Sequence, residues 1–353
     1  MLRRTLTYIA TAIAILACLF SCSKNTENIL GEGTMVTLSF YTGGMQTRAT
    51  TPSDGDVADG GGIFQENGVP DLIILIAEAE SGNIVKRYPS EGELLSLSET
   101  EAKVAFSFAG SNAGDYIVYA FGNAQGLWPM IEEGQDDTNN SKVIMVADLM
   151  NPAKVPSRTV LEALRFSKLE PDTPPLINER MPLSAKGELE VSSGKNGEVR
   201  LELLRCIAKV TAEFINNTGE TLELEHYSHY IKNICPDNGY IIKHPAVSPA
   251  SAVMGTLNAT VNDHEIVSES SLSNSWYVFP SVGPYTCDIH FTVDEKDYTY
   301  NNLPVTNNRR EDIPSLTRNQ HLHIVTRISK GFKVSFNFEV ADWDDVTAEV
   351  QFD

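Results

Sequence analysis

Apolar and polar residues alternate in short runs along most of the chain, which is the pattern of strands with one buried face. In the first run, residues 35–41, one face carries Val36, Leu38 and Phe40. Residues 72–77 are instead apolar on both faces, as is typical of a central strand in a covered sheet. Clusters of Gly, Pro and Asn separate the runs at hairpin-like intervals. The pattern predicts a mainly β chain.

The second half of the chain continues this pattern. Its apolar positions change parity near Leu203 and Leu204, which predicts a bulge or a bend between two sheets. One helix is predicted near Arg158–Lys168, with Ser157 as its N-cap. Two alternating runs close the chain, and the last has an apolar face made of Val346, Ala348, Val350 and Phe352.

The length of the chain, 353 residues, is enough for about two domains. Many short strands and frequent turns indicate two sandwich-like β domains. We place the N-terminal domain, with one or two short helices, at residues 34–183. The C-terminal domain, which includes the closing strands, covers residues 184–353. Before them, residues 1–21 read as a signal peptide and residues 22–33 as a polar tether.

The N-terminal segment predicts export. Arg3 and Arg4 precede an apolar run that ends at Phe20, a length that suits a signal peptide and is short for a bilayer span. Leu19–Cys22 resembles the lipobox of bacterial lipoproteins. The resemblance implies that Cys22 carries the lipid and anchors the protein in the outer membrane, since several acyl chains hold a protein stably. A plain secretory signal and a membrane-anchored start are the alternatives.

The charge of the chain is strongly acidic. The formal net charge is −20, and it becomes −22 without residues 1–21, which hold two arginines and no acids. Such a surface argues against a nucleic-acid partner, because phosphate binding needs a basic footprint. It also argues against electrostatic docking on anionic lipid, which leaves anchoring to the lipid on the chain.

Candidate chemistry is sparse, and we predict no enzyme, no cofactor and no metal. The sequence lacks a Gly-x-Ser-x-Gly motif, a phosphate loop and a placed pair of carboxylates. His226 and His229 lie either one helical turn apart or on opposite faces of a strand, without a suitably spaced third metal ligand. The three cysteines of the mature domains form either one disulfide and a free thiol or three buried thiols; they are Cys206, Cys235 and Cys287.

Two acidic segments have alternative interpretations. The glycine-rich stretch Asp54–Asp59 is similar to a calcium loop, but Ala58 and Gln65 stand where that motif needs ligands. Calcium binding there is left open. The acids around Trp343 suggest either a sugar-binding aromatic with carboxylates or a turn with solvated acids and a packed indole; the turn is the preferred interpretation.

Three strings resemble the fimbrillins, the lipoprotein subunits of Bacteroidales fimbriae (type V pili). The first is Leu203–Val210 with the Phe-Ile-Asn-Asn that follows it. The second is Leu316–Ile324, similar to the family's Arg-Asn-x-x-Tyr-x-Ile strand, although Leu322 or His323 stands where an aromatic residue is common. The third is Trp343 before the last strand.

The resemblance implies two transthyretin-like β-sandwich domains and assembly by strand exchange. In the family, a protease cuts after an arginine behind the first strand, that strand leaves, and a neighbouring subunit's strand fills the groove. The matching bond here is Arg48-Ala49, and the matching removable strand carries Val36, Leu38 and Phe40. The matching donor strand carries Val346, Ala348, Val350 and Phe352.

The implied partners are other fimbrial subunits, in a homo- or hetero-polymer, the processing protease, and a receptor on a host or bacterial surface. The implied location is the cell surface. The choice between shaft, tip and basal anchor stays open, although Arg48 and the closing strands favour a shaft or accessory subunit over an anchor. The alternative function is a monomeric glycan-binding surface lipoprotein, for which scattered tryptophans give little support; these are Trp128, Trp276 and Trp343.

Overall fold

The structure is a computed structural model of the chain. It describes residues 33–42, 65–66, 69–98, 100–124, 130–132, 143–166, 181–242, 248, 250, 252–307 and 309–342. Strands dominate it, so the prediction of a mainly β fold is confirmed. Its described helical segments are α1 (Arg158–Ala163) and two 3₁₀ turns, Gly110–Asn112 and Val146–Met150.

In the described residues, fourteen strands precede residue 206. They are β1 (Thr34–Tyr41), β2 (Gln65–Glu66), β3 (Val69–Pro70), β4 (Leu72–Glu78), β5 (Ile84–Tyr88), β6 (Glu93–Leu97), β7 (Glu101–Phe108), β8 (Gly114–Gly122), β9 (Met130–Glu132), β10 (Val143–Ile144), β11 (Leu164–Phe166), β12 (Leu183–Val191), β13 (Gly197–Glu202) and β14 (Leu204–Arg205).

Ten strands follow. They are β15 (Ala208–Asn217), β16 (Leu222–Pro236), β17 (Met254–Ile266), β18 (Ser270–Val278), β19 (Ser281–Val282), β20 (Thr286–Val293), β21 (Lys296–Pro304), β22 (Ser315–Leu316), β23 (Gln320–Ser329) and β24 (Lys333–Asp342).

The first sandwich packs a sheet of order β13-β1-β7-β6 against a sheet of order β14-β12-β8-β4-β5. Alternate side chains of both sheets meet between them, including those of β1, β4, β7, β8 and β12. Strand β4 lies between β8 and β5, and both of its faces are buried, as its continuous apolar run predicts. Its second face contacts a separate apolar cluster that includes α1 and β11.

The second sandwich packs the sheet β18-β15-β23-β24 against the sheet β17-β16-β20-β21. Its core contains a close aromatic group in which Phe214 contacts the rings of Tyr227 and Phe291, with centroids 5.1 and 5.2 Å apart. Strand β15 pairs parallel with β23 and antiparallel with β18. This arrangement mirrors the first sandwich, where β1 pairs parallel with β13 and antiparallel with β7.

The two sandwiches share an apolar cluster and buried polar contacts. The cluster joins residues of β4, β8 and α1 to Cys206, Ile207 and Phe279. The guanidinium of Arg318 donates through Nη2 to the carbonyl oxygens of Ser184 and Leu204, at 2.7 and 2.8 Å. These contacts tie the second sandwich to strands β12 and β14 of the first.

The strand pairings indicate where the boundary between the two domains lies. A boundary near residue 183 would separate β12 from β8, its antiparallel partner over residues 183–191. It would also separate β13 from β1. A division near residues 206–207 keeps each sheet whole, so we propose the boundary there.

The predicted helix at Arg158–Lys168 is only partly correct. Helix α1 ends at Ala163, and the residues behind it form β11, which pairs with β9. Ser157 occupies the N-cap position, but its side chain makes no capping hydrogen bond. A six-residue helix is too short to be stable by itself. Leu161 of α1 and Leu164 and Phe166 of β11 are buried in the same apolar cluster, so the apolar residues of this stretch are shared between a helix and a strand.

Candidate assembly site

Strand β1 is an interior strand of its sheet. It pairs antiparallel with β7 along its whole length, from Thr34 opposite Phe108 to Tyr41 opposite Glu101. On its other side it pairs parallel with β13, from Val36 opposite Gly197 to Tyr41 opposite Glu202. Both edges of β1 are therefore hydrogen-bonded, and β1 separates two strands that would otherwise each present an open edge.

The predicted buried face of β1 is confirmed. Val36, Leu38 and Phe40 are each 0% exposed and lie in the core of the first sandwich. Their cross-strand neighbours on β7 are Phe106, Val104 and Ala102, which are also 0% exposed.

Both ends of β1 are fastened by further hydrogen bonds. At the start, the Thr34 hydroxyl donates to the carbonyl of Ser192 and accepts from the backbone N–H of Gly194, both at 3.1 Å. At the end, the N–H of Leu203 donates to the carbonyl of Tyr41 at 2.8 Å. On the outer face, the guanidinium of Arg200 lies 4.3 Å from the centre of the Tyr41 ring, a cation–π contact.

We call the space that residues 34–41 occupy between β7 and β13 the first-strand groove. Without β1, its walls would be two unpaired strand edges, and its floor would be the apolar side chains of the opposite sheet. A groove of this kind can bind any extended segment that supplies backbone hydrogen bonds and alternate apolar side chains. The geometry thus gives the site one chemical ability, the binding of a β-strand.

The other residues predicted for assembly lie outside the described part of the chain. They are the lipidation residue Cys22, the cleavage bond Arg48-Ala49, and the donor residues Val346, Ala348, Val350 and Phe352. The calcium-loop candidate Asp54–Asp59 and Trp343 lie outside it as well. In sequence, Arg48 follows Tyr41, the end of β1, by seven residues.

The two histidines considered for metal binding lie on one strand, β16, in different environments. His226 is on the outer surface, where Nδ1 lies 2.8 Å from the side-chain oxygen of Asn262. His229 points into the second core, between Tyr227 and Trp276. Among the described residues, no group of three or more His, Cys, Asp or Glu is arranged to hold a metal ion.

His229 is the most unusual titratable group of the described residues. Neither of its ring nitrogens has a hydrogen-bond partner, and its side chain is 1% exposed. Burial lowers its pKa to about 4, because the charged imidazolium would lose its hydration. Of the two arrangements left open by the sequence, the structure has the one with the two histidines on opposite faces of a strand, but the sequence did not indicate that His229 is the buried one.

The three cysteines of the two sandwiches are buried thiols outside any disulfide, which selects the second alternative left open by the sequence. Burial raises the pKa of Cys287 to about 12, with a smaller contribution from Asp288. Burial also raises the pKa of Cys206. These thiols are therefore packing groups at neutral pH, because the thiolate is the reactive form.

Among the residues that the structure covers, no helix has the length and apolar character needed to cross a membrane.

Comparison with known proteins gives structural matches only. No protein-family model matches the chain, and no curated protein matches it. A solved structure of a candidate cell adhesion protein from Parabacteroides distasonis superimposes with a TM-score of 0.55 at 12% identity, over 89% of this chain and 98% of that one.

Two further solved structures are similar at lower scores. The tip fimbrial protein Mfa3 from Porphyromonas gingivalis, with a C-terminal truncation, matches with a TM-score of 0.48 at 10% identity, over 88% of this chain and 100% of that one. A candidate cell adhesion protein from Bacteroides eggerthii matches with a TM-score of 0.47 at 14% identity, over 90% and 98% of the two chains. Neither score supports a conclusion about this chain. At 12% identity, the first match shows that the chain shares the fold of the Parabacteroides distasonis protein.

Proposed function

We propose that this protein is a structural subunit of a surface fimbrium, exported as a lipoprotein and assembled by exchange of its first strand. Cleavage after Arg48 releases β1, and a C-terminal strand from a neighbouring subunit then occupies the first-strand groove. The work of the protein is assembly and contact, and no catalysis is involved. The fimbrillin-like strings support this function, as does the fold shared with a candidate adhesion protein.

The observation that carries the proposal is the position of β1. Its core side chains are fully buried and both its edges are paired, yet β1 comes first among the described strands, so the chain segment that begins at Thr42 connects it to all of the others. A single cut in that segment, as at Arg48, leaves β1 attached by burial and hydrogen bonds alone.

The energetics favour replacement of β1 over an empty groove. Burial of a Val, Leu or Phe side chain contributes about 1.5–3 kcal/mol each, so the three core residues of β1 contribute roughly 5–9 kcal/mol. An empty groove forfeits this and exposes two strand edges. A donor from another copy restores both, and because the contact is head-to-tail and need not close, it builds a filament.

Export and anchoring complete the proposal. Lipidation at Cys22 holds the subunit on the outer membrane until cleavage, since Cys22 lies on the N-terminal side of Arg48 and departs with β1. The partners are further fimbrial subunits, a processing protease, and a surface receptor. The alternative of a glycan-binding monomer gains no support from Trp276, which packs partly buried against the second core.

The test is cleavage of the unlipidated full chain with an arginine-specific protease. We expect a product that lacks β1 and forms ladders that resist mild detergent. Arg48→Lys is the matched control, because it keeps the charge but removes the cleavage site, and it should stay monomeric. A wild-type product that is cut at Arg48 and remains a stable monomer would disprove assembly by strand exchange.

A further inference from the structure

We propose that the C-terminal segment of a second copy enters the first-strand groove in the same direction as β1, with residues 346–352 in the places of residues 34–40. This inference rests on the proposed function. It adds the direction and the register of the donor, and it assigns one residue to each position of the groove.

The groove is graded in size along its length. At one end, Val36 lies opposite the large side chain of Phe106. At the other end, Phe40 lies opposite the small side chain of Ala102. On the β13 side the neighbours are Gly197 and Leu201, so that wall does not repeat the grading. The grading is carried by the fully buried side chains of β1 itself, which increase in size from Val36 to Phe40 and so define the space that an occupant must fill. An occupant must therefore be small at the Val36 end and large at the Phe40 end.

The C-terminal segment is graded in the same sense. Its apolar residues recur at every second position and end in a phenylalanine. In the same-direction register, every replacement has a similar or smaller size: Val346 for Thr34, Ala348 for Val36, Val350 for Leu38 and Phe352 for Phe40. No position is overfilled, and the largest side chain of β1 is replaced by an identical one.

The opposite direction fits the core poorly. It places Phe352 where β1 has Val36 or Thr34, next to a fully buried aromatic residue, and it leaves Ala348 or Val346 in the space of Phe40. The first change overfills the core and the second leaves a cavity, and both destabilise. A shift by one residue in either direction turns the apolar set to solvent.

One interaction favours the opposite direction, but it contributes less than the misfit in the core costs. With Phe352 in the place of Val36, Glu349 takes the place of Ser39, which lies opposite Lys103 and Arg200. The position of Ser39 is 1% exposed, and the Ser39 hydroxyl lies 3.5 Å from a carboxylate oxygen of Glu198. Glu349 placed there would lose its hydration and lie against that like charge, which offsets the attraction. Misfit of a buried phenylalanine outweighs that attraction, so core shape selects the direction.

Disulfide crosslinking between two kinds of chain tests the direction. One chain carries Gln351→Cys and serves as donor. The other carries one acceptor cysteine on the outer face of β7: Lys103→Cys, Ala105→Cys or Ser107→Cys. The same-direction register places residue 351 opposite Lys103, whereas reversed registers place it opposite Ala105 or Ser107. Native buried cysteines do not compete, and Cys22 leaves with the cleaved segment.

The two chains are mixed, cut with the arginine-specific protease, mildly oxidised, and separated on a gel without reductant. We expect roughly tenfold more linked dimer with Lys103→Cys than with either other acceptor, because a disulfide requires Cα atoms within about 7 Å. Since each chain has only one engineered cysteine, a donor–acceptor link joins two copies.

The outcomes separate the inference from the proposed function. Ladders with the strongest link at Ala105→Cys or Ser107→Cys would overturn the direction and leave strand exchange intact. Ladders without a link at any of the three acceptors would overturn the assignment of this segment to the groove. A cut chain that forms no ladders would overturn the proposed function, and the inference with it.

Discussion

Replacement of Phe40 by alanine should lower the stability of the uncut monomer but leave the stability of the polymer unchanged. Strand exchange explains this difference, because β1 leaves the subunit on assembly. Phe40 is fully buried in the core of the uncut protein. Truncation of a buried phenylalanine to alanine lowers the free energy of unfolding by about 3–5 kcal/mol, through lost burial and a residual cavity. For a domain of 150–250 residues, this corresponds to a fall in Tm on the order of 10 °C.

After assembly, the proposal places Phe40 outside the polymer, because β1 has left. The polymer of Phe40→Ala should therefore dissociate at the same temperature as the wild-type polymer. Phe106→Ala is the matched control, since Phe106 is equally buried but belongs to β7, which stays in the subunit. It should destabilise the monomer and the polymer alike. Phe40→Leu and Phe106→Leu are milder versions for use if the alanine variants do not fold.

The assays are urea denaturation of the uncut monomer and thermal dissociation of the cut polymer in detergent, followed on gels. A Phe40→Ala polymer that loses as much stability as the Phe106→Ala polymer would refute the departure of β1. An uncut Phe40→Ala monomer as stable as the wild type would refute the packing on which the groove is based.

Three further predictions concern the second sandwich and the junction. Because His229 has a folded pKa of about 4 against 6.5 in the unfolded chain, its contribution to stability is full above pH 6.5 and is lost as the pH falls toward 4; between pH 7 and pH 5 the loss is about 2 kcal/mol. His229→Phe should remove that part of the pH dependence in urea titrations, and an unchanged dependence would contradict the assignment. Arg318→Met should lower the stability by about 2 kcal/mol in calorimetry, because the buried carbonyls of Ser184 and Leu204 lose their donor; an unchanged Tm would show that the contacts are not needed. A thiol reagent at pH 8 should leave Cys287 unlabelled in the native protein and label it after unfolding, as read by peptide mass mapping; rapid native labelling would show that the thiol is accessible.

The strands with regular alternation were predictable, and the reason is visible in β1 and β4. One-sided alternation in β1 corresponds to one face in the core, and the two-sided apolar run of β4 corresponds to an interior strand between two apolar clusters. The helix was predictable only in its first turns, because the apolar spacing near residue 164 suits a helix and a short strand about equally. Local pattern cannot separate the two where tertiary contacts decide.

The partners of the strands were not predictable in the same way. The parallel partner of β1 is β13, and the contact between Met35 and Asn196 spans 161 residues. The sequence pattern assigned residues 197–202 to the second domain, whereas pairing places them beside the first strand. The same holds for Arg318, whose charge suggests a surface residue and whose guanidinium is buried against carbonyls of the first sandwich.

The sequence alone determined the fold class, the face of each regular strand that is buried, and the strings that suggested a fimbrial subunit. These follow from side-chain chemistry repeated at a period of two residues. The tertiary structure decided which strands are neighbours, and so turned an ordinary first strand into an interior one with a groove around it. The physical reason is that strands pair through backbone groups, which are the same at almost every residue, and that their choice of partner depends on which apolar faces can be covered together in space.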